Sequence, residues 1–135
     1  MTTTFISPKS WEELCAMKDS IDAYDNKTLR FEDDEDEYQR YLGSHGREEI
    51  LENIRNKIGP TGVALLANDF SYTRLLVDLP EVTHYCLWNT QGAMTLEQIR
   101  EYLSQTKFSQ WFAVERKPTS KSIPEIWHTH VFVKE

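Results

Sequence analysis

The sequence predicts an α+β fold, and three observations carry that reading. Apolar residues recur at helical spacing through residues 1–60, Gly59-Pro60-Thr61-Gly62 closes that part, and short runs rich in valine, leucine and aromatic residues follow. Helices first, then strands with one helix between them, is the order of N-terminal helices packed on an antiparallel sheet with one crossing helix. A chain of 135 residues is one domain by length and buries a core of its own, with 1–60 mainly helical and 61–135 sheet plus one helix.

The first helix opens in "SPKSWEELCAMKDS". Ser7 is its candidate cap, Pro8 stands in the first turn, a second serine follows, and Trp11, Leu14, Cys15 and Lys18 share a face. A second helical stretch runs roughly from Asp33 to Ile58, with Tyr38, Tyr41, Leu42, Ile50, Leu51, Ile54 and Ile58 as its apolar face. "GSHG", Gly43 to Gly46, breaks it into two helices and leaves His45 in an exposed loop. The acidic run "EDDEDE", Glu32 to Glu37, suits a helix start, where carboxylates meet the positive end of the dipole. It lacks the alternating ligands and central glycine of a calcium loop.

Five strands are expected after Gly62: "VALLAN", "TRLLVDL", "HYCLWNT", "QWFAVERK" and "IWHTHVFVK". Between the third and fourth, "TLEQIREYLSQT" carries a capping box, Thr95 with Gln98, and an apolar stripe of Leu96, Ile99, Tyr102 and Leu103.

Composition narrows the function classes. The net charge is −7, which disfavours nucleic acid and anionic membrane as partners. From Lys107 onward the balance turns to +2, leaving −9 in the rest. No apolar run reaches membrane-spanning length, and "MTTTFISPKSWEEL" has no basic segment leading into an apolar core, so a cytoplasmic protein without a secretory signal is expected. Cys15 and Cys86 show neither metal nor disulfide spacing and read as buried free thiols. Phosphate-binding glycine loops, serine nucleophile elbows and Cys–His signatures are absent from the sequence.

The last strand asks the functional question. His128 and His130 stand two apart in "IWHTHVFVK", so they project from the same face of a strand that is otherwise apolar. Two imidazoles are costly to bury without partners, so the pair marks a pocket. Asn68 and Asp69 directly follow an apolar strand, Arg74 lies close behind, and His84 opens another strand. Arg116, Lys117, Lys121 and Ser122 occupy a basic loop leading into the histidine strand, a composition suited to a phosphate.

The stretches "SWEEL", "NDFSY", "HYCLW" and "KSIPEIWHTHVFV", with the tyrosine-rich helix, resemble the fungal and bacterial N-acetylglucosamine-induced protein family, a family of unknown function. The resemblance spans nearly the whole chain and carries over Asn68, Asp69, Tyr72, His84, Trp88, Lys121, Ser122, Pro124, His128 and His130. Ser71 departs from it, since a proline is expected there. A more distant similarity is to the histidine-triad superfamily, which binds nucleotides and attacks an α-phosphorus with a histidine. That similarity implies His128 as nucleophile and His130 as the group orienting phosphate, but "IWHTHVF" has two histidines where the motif has three, with Ile126 in the first place.

The resulting expectation is a pocket lined by His84, His128 and His130 as candidate catalytic residues. Asn68, Asp69, Tyr72, Arg74, Arg116, Lys121 and Ser122 are its candidate binding residues, for a small anionic ligand such as a nucleotide or sugar phosphate. Two alternatives stand beside it. One is a zinc ion held by His84, His128 and His130, or with Asp69 as third ligand. The other is a ligand sensor or protein-interaction domain without turnover, in which Trp88, Trp111 or Trp127 would stack on a sugar or a partner. Oligomeric state is left open.

Overall fold

The computed structural model describes residues 5–117 and 123–135. Helix α1, Trp11–Ala16, is capped by Ser10, whose hydroxyl accepts from the Glu13 N–H at 3.1 Å. Ser10, not Ser7, stands directly before the first buried residue of the stripe, and Glu12 and Glu13 fall in the favourable first turn. Ser7 instead donates to the Arg74 carbonyl at 2.8 Å. A 3₁₀ turn over Lys18–Ala23 follows, then the short α2, Asn26–Leu29, capped by Asp25.

Helix α3, Glu32–Ser44, begins with Glu32, Asp33, Asp34 and Glu35 in its first turn, and α4 runs Arg47–Ile58. The expected break is present but narrower than "GSHG": Gly43 and Ser44 stay helical, and only His45 and Gly46 are extended. His45 is half-buried, its ring 4.6 Å from that of Tyr41, rather than a free loop residue. Gly59 ends α4 with φ +82°, a conformation that favours glycine.

Four strands form one antiparallel sheet: β1 Val63–Ala67, β2 Val82–Asn89, β3 Trp111–Val114 and β4 Trp127–Lys134, in the order β1-β2-β4-β3. Helix α5, Leu96–Ser104, connects β2 to β3, and its Thr95–Gln98 capping box is formed on both sides. The molecule is therefore α+β, with an antiparallel sheet, as its residue patterns predict.

One expected strand is missing. Thr73–Leu79 forms consecutive turns, with Leu76 N–H donating to the Tyr72 carbonyl at 3.1 Å and Leu79 N–H to Leu76 at 3.0 Å. Its buried residues Tyr72, Leu75 and Leu79 follow helical spacing, not alternation, and Pro80 closes the segment. Arg74 and Leu75 N–H both donate to the Leu29 carbonyl, which ties the segment to the end of α2 instead of to a sheet edge.

The sheet is covered on both faces. Leu87, Val131 and Val133 pack under Ile99 and Leu103 of α5. The other face carries Cys86 and Trp88 against Ile50, Leu51 and Ile58 of α4, and Val82, Phe112, Val114 and Phe132 against Trp11, Leu14, Leu29 and Tyr72. This is why β4 does not alternate: its six inner residues are all buried. No described helix is long and apolar enough to cross a membrane.

Candidate functional site

Strand register places the histidines. Antiparallel pairing sets Cys86 opposite His130, Trp88 opposite His128 and His84 opposite Phe132. Opposed residues share a face, so His84, Cys86, His128 and His130 all project toward the N-terminal helices. They meet Tyr72 from the turn segment and Asn68 from the end of β1.

A cavity of about 130 Å³ opens between this face and helices α3 and α4. Cys86, Trp88, His128 and His130 form its floor, Tyr38, Tyr41 and Phe70 give it aromatic walls, and Arg30, Lys57, Asn68 and Asp69 add polar groups. Lys57 and Asp69 lie 3.7 Å apart and are 62% and 73% exposed, so they mark the rim. Arg30 is buried: it donates to the Phe70 carbonyl at 2.9 Å and to Glu35 at 2.7 Å, and its guanidinium sits 4.7 Å from the Tyr38 ring centre.

Behind the floor the polar side chains form one chain of hydrogen bonds. The Tyr72 backbone N–H can only donate, so His84 Nδ1, 3.3 Å away, accepts. The His84 ring proton is then on Nε2 and is donated to His130 Nδ1 at 2.8 Å. His130 Nε2–H faces the Tyr72 hydroxyl at 3.4 Å, and that hydroxyl donates to Asn26 Oδ1 at 3.3 Å. Asn68 Oδ1 accepts from the Phe70 N–H at 2.9 Å, which aims Nδ2 at Cys86 Sγ, 3.5 Å distant. Ser71 brings its hydroxyl within 3.1 Å of His84 Nδ1.

This network is neutral. Burial first, then the charge of Arg30, holds His84 down to about 3. His130 lies well below the usual imidazole range through burial, with His84 and His128 adding to it. Burial pushes the Cys86 thiol up to about 12 against the Asn68 hydrogen bond, and the Tyr72 phenol up to about 12. The His128 ring stands edge-on to that of His130 at 5.7 Å and stacks on Trp88 at 4.2 Å, and its Nδ1 donates to the Ile126 carbonyl at 3.0 Å.

The structure brings together His84, His130, Tyr72 and Asn68, with His128 and Asp69 along the same cavity. Two residues expected there lie elsewhere. Arg116 is 1% exposed and turns inward to the Ile21 and Tyr24 carbonyls, 5.7 Å from the Tyr72 ring centre but outside the cavity lining. Arg74 lies 5.4 Å from the Phe5 ring centre, away from the cavity. Lys121 and Ser122 lie outside the described residues. Trp111 and Trp127 belong to the face under α5.

Cys86 is the residue that spacing missed. His84, Cys86 and His130, all buried, bring one donor atom each within 4.8 Å of the others, and His130 Nδ1 lies 2.8 Å from His84 Nε2 and 3.7 Å from Cys86 Sγ. Such a group could hold a metal ion, with Cys86 in the place expected for His128 or Asp69. The signal was available: "HYC" repeats on β2 the i, i+2 pattern that "HTH" shows on β4. Compared with known proteins, the chain matches no family model, and no curated protein or solved structure is significantly similar to it.

Proposed function

We propose that the cavity binds a small phosphorylated molecule, a sugar phosphate or a nucleotide, with one ring between the aromatic walls and the phosphate at the Lys57 rim. The aromatic walls and the rim lysine carry this reading. Among the described residues, the charges of the lining are Arg30, held by Glu35, and the exposed Lys57–Asp69 pair, of which Lys57 is the cation that a phosphate can recruit. Size agrees: an engineered apolar cavity of about 150 Å³ holds benzene, so about 130 Å³ takes one ring and leaves a phosphate outside it. Tyr38, Tyr41 and Phe70 offer faces to a sugar or base. The Asn68 amide offers a directional hydrogen bond without added charge.

A second reading adds turnover, and the setting of His128 favours it. Because the Ile126 carbonyl takes the proton of Nδ1, Nε2 is the basic nitrogen of the neutral ring. This reading needs the ligand turned end for end, with its phosphate at the floor beside His128 instead of at the Lys57 rim. Nε2 then attacks phosphorus in the histidine-triad manner, the bond to the leaving oxygen breaks, and water releases the phosphoryl group from the imidazole.

A thermal-shift series with sugar phosphates, nucleotides and inorganic phosphate tests the binding. A binder of the native state raises the midpoint by mass action, and Lys57→Ala should weaken that binder several-fold while leaving the free protein's midpoint unchanged. Phosphorus NMR of the same mixtures reads turnover, which His128→Ala should abolish. Absence of any shift at millimolar phosphate esters overturns the reading.

A further inference from the structure

We infer that His84, Cys86 and His130 are the ligands of a zinc-type divalent metal ion, through Nε2, Sγ and Nδ1 respectively. The site is distinct from the one expected of the three histidines, since His128 takes no part and a thiolate replaces it.

Strand pairing builds the geometry. His84 and Cys86 stand two apart on β2, and β4 sets His130 opposite Cys86, so three donor atoms gather within 4.8 Å on the two central strands. Central strands are the stiffest part of a sheet, which gives the preorganisation a metal site needs. Two imidazole nitrogens and one sulfur make a borderline-soft donor set, which suits zinc better than magnesium or calcium. Three protein ligands leave one position open. Cys86 and His130 also line the cavity, so the fourth ligand comes from there.

In the metal-free protein a proton occupies the position the ion would take, between His84 Nε2 and His130 Nδ1 at 2.8 Å. Two zinc–nitrogen bonds of about 2.0–2.1 Å at a tetrahedral angle need nitrogens roughly 3.3 Å apart, so the rings open by about half an ångström. His130 already has the required tautomer, with Nδ1 bare and Nε2–H on the Tyr72 hydroxyl. Binding moves the His84 proton from Nε2 to Nδ1, so the contact with the Tyr72 N–H at 3.3 Å is given up and the Ser71 hydroxyl at 3.1 Å accepts the proton instead. Cys86 releases its thiol proton to solvent, so binding frees one proton in all. The Asn68 amide then donates to a thiolate instead of a thiol. An ion with one thiolate retains a charge of +1, close to Arg30, and an anionic oxygen from the cavity offsets it. The ion's binding does not depend on that oxygen.

Cobalt(II), a spectroscopic stand-in for zinc, tests the site in phosphate-free buffer. The wild-type protein should take up one ion per chain, with visible d–d bands and a near-ultraviolet thiolate-to-cobalt transition. Zinc should displace the cobalt and bleach both. Cys86→Ser should remove the charge-transfer transition and weaken binding by roughly 100-fold or more, whereas His128→Ala should retain both. Three results overturn the inference: wild-type protein that stays colourless, a transition that survives Cys86→Ser, or equal loss in His128→Ala. Because the folded wild-type protein gives the first of these, a misfolded variant cannot hide the answer. Failure of the phosphate-ester screen would not touch it, since no ester is present.

Discussion

Strands β2 and β4 supply two unlike faces of one sheet from alternating residues of the same two segments. Toward α5 they present Leu87, Val131 and Val133, closed by Ile99 and Leu103. Toward the N-terminal helices they present His84, Cys86, His128 and His130, met by Tyr72, Asn68 and Arg30. The first face needs only apolar side chains of the right volume, and burial itself stabilises it. Every donor and acceptor on the second must find a partner, because an unmet polar group costs more than a made hydrogen bond returns. The N-terminal side also buries the larger apolar clusters, Trp11, Leu14, Leu29, Ile50 and Phe132 among them, so its polar groups sit inside a core, whereas the α5 side is closed by the apolar side chains of α5.

The largest effect should come from the dry face. Leu103 is fully buried, and Leu103→Ala should cost about 2–5 kcal/mol in urea unfolding. Cobalt binding by the variant, measured where it is still folded, should be unchanged. A loss of the metal site with Leu103 would mean the two faces are not independent.

Acidification should act on the polar face alone. His84 has an ordinary value of 6.5 and a folded value of about 3, and His130 shifts the same way. The unfolded chain therefore takes up protons first, so stability is full above 6.5 and is lost as pH falls toward about 3. Each such histidine should steepen the loss by about 1.4 kcal/mol per pH unit in metal-free protein. Unfolding midpoints followed from pH 6.5 down to about 5, before most carboxylates titrate, read this slope as it approaches its full value. His84→Gln should flatten that slope and Leu103→Ala should not. A slope shared by both variants would assign the acid sensitivity elsewhere.

The smallest effect separates hydrogen bonding from packing on the polar face. Tyr72→Phe keeps the ring beside His84, His130 and Phe132 but removes the hydroxyl between His130 and Asn26. It should cost about 0.5–1.5 kcal/mol in thermal unfolding and reduce cobalt affinity by about 10-fold or more, since His130 loses the partner that orients it. No change in either would show that the hydroxyl contributes packing alone.

Much of this architecture is legible residue by residue. The Thr95–Gln98 box, the Gly59 stop and the acidic start of α3 are local signals, and each element begins or ends where its own side chains dictate. The i, i+2 spacing likewise places His128 beside His130 without any knowledge of the fold. Thr73–Leu79 shows the limit of such reading. Its leucines satisfy strand propensity, yet Leu75 and Leu79 bury at helical spacing because the Leu29 carbonyl takes the backbone donors. Arg116 shows another: a basic residue in a Lys- and Ser-rich stretch reads as an anion ligand, but carbonyls 95 and 92 positions away claim it.

Alone, the sequence determines the α+β class, the Gly59 stop, the crossing helix with its Thr95 cap and the face shared by His128 and His130, because these depend on residues a few positions apart. Tertiary structure decided that Cys86 faces His130, that the Tyr72 N–H meets His84 Nδ1, and that α3 and α4 roof a cavity over Cys86 and His130. The three donors meet through pairing of β2 with β4, whose members His84 and His130 lie 46 residues apart. Register over that distance is selected by burial of whole faces, and it has no local signature.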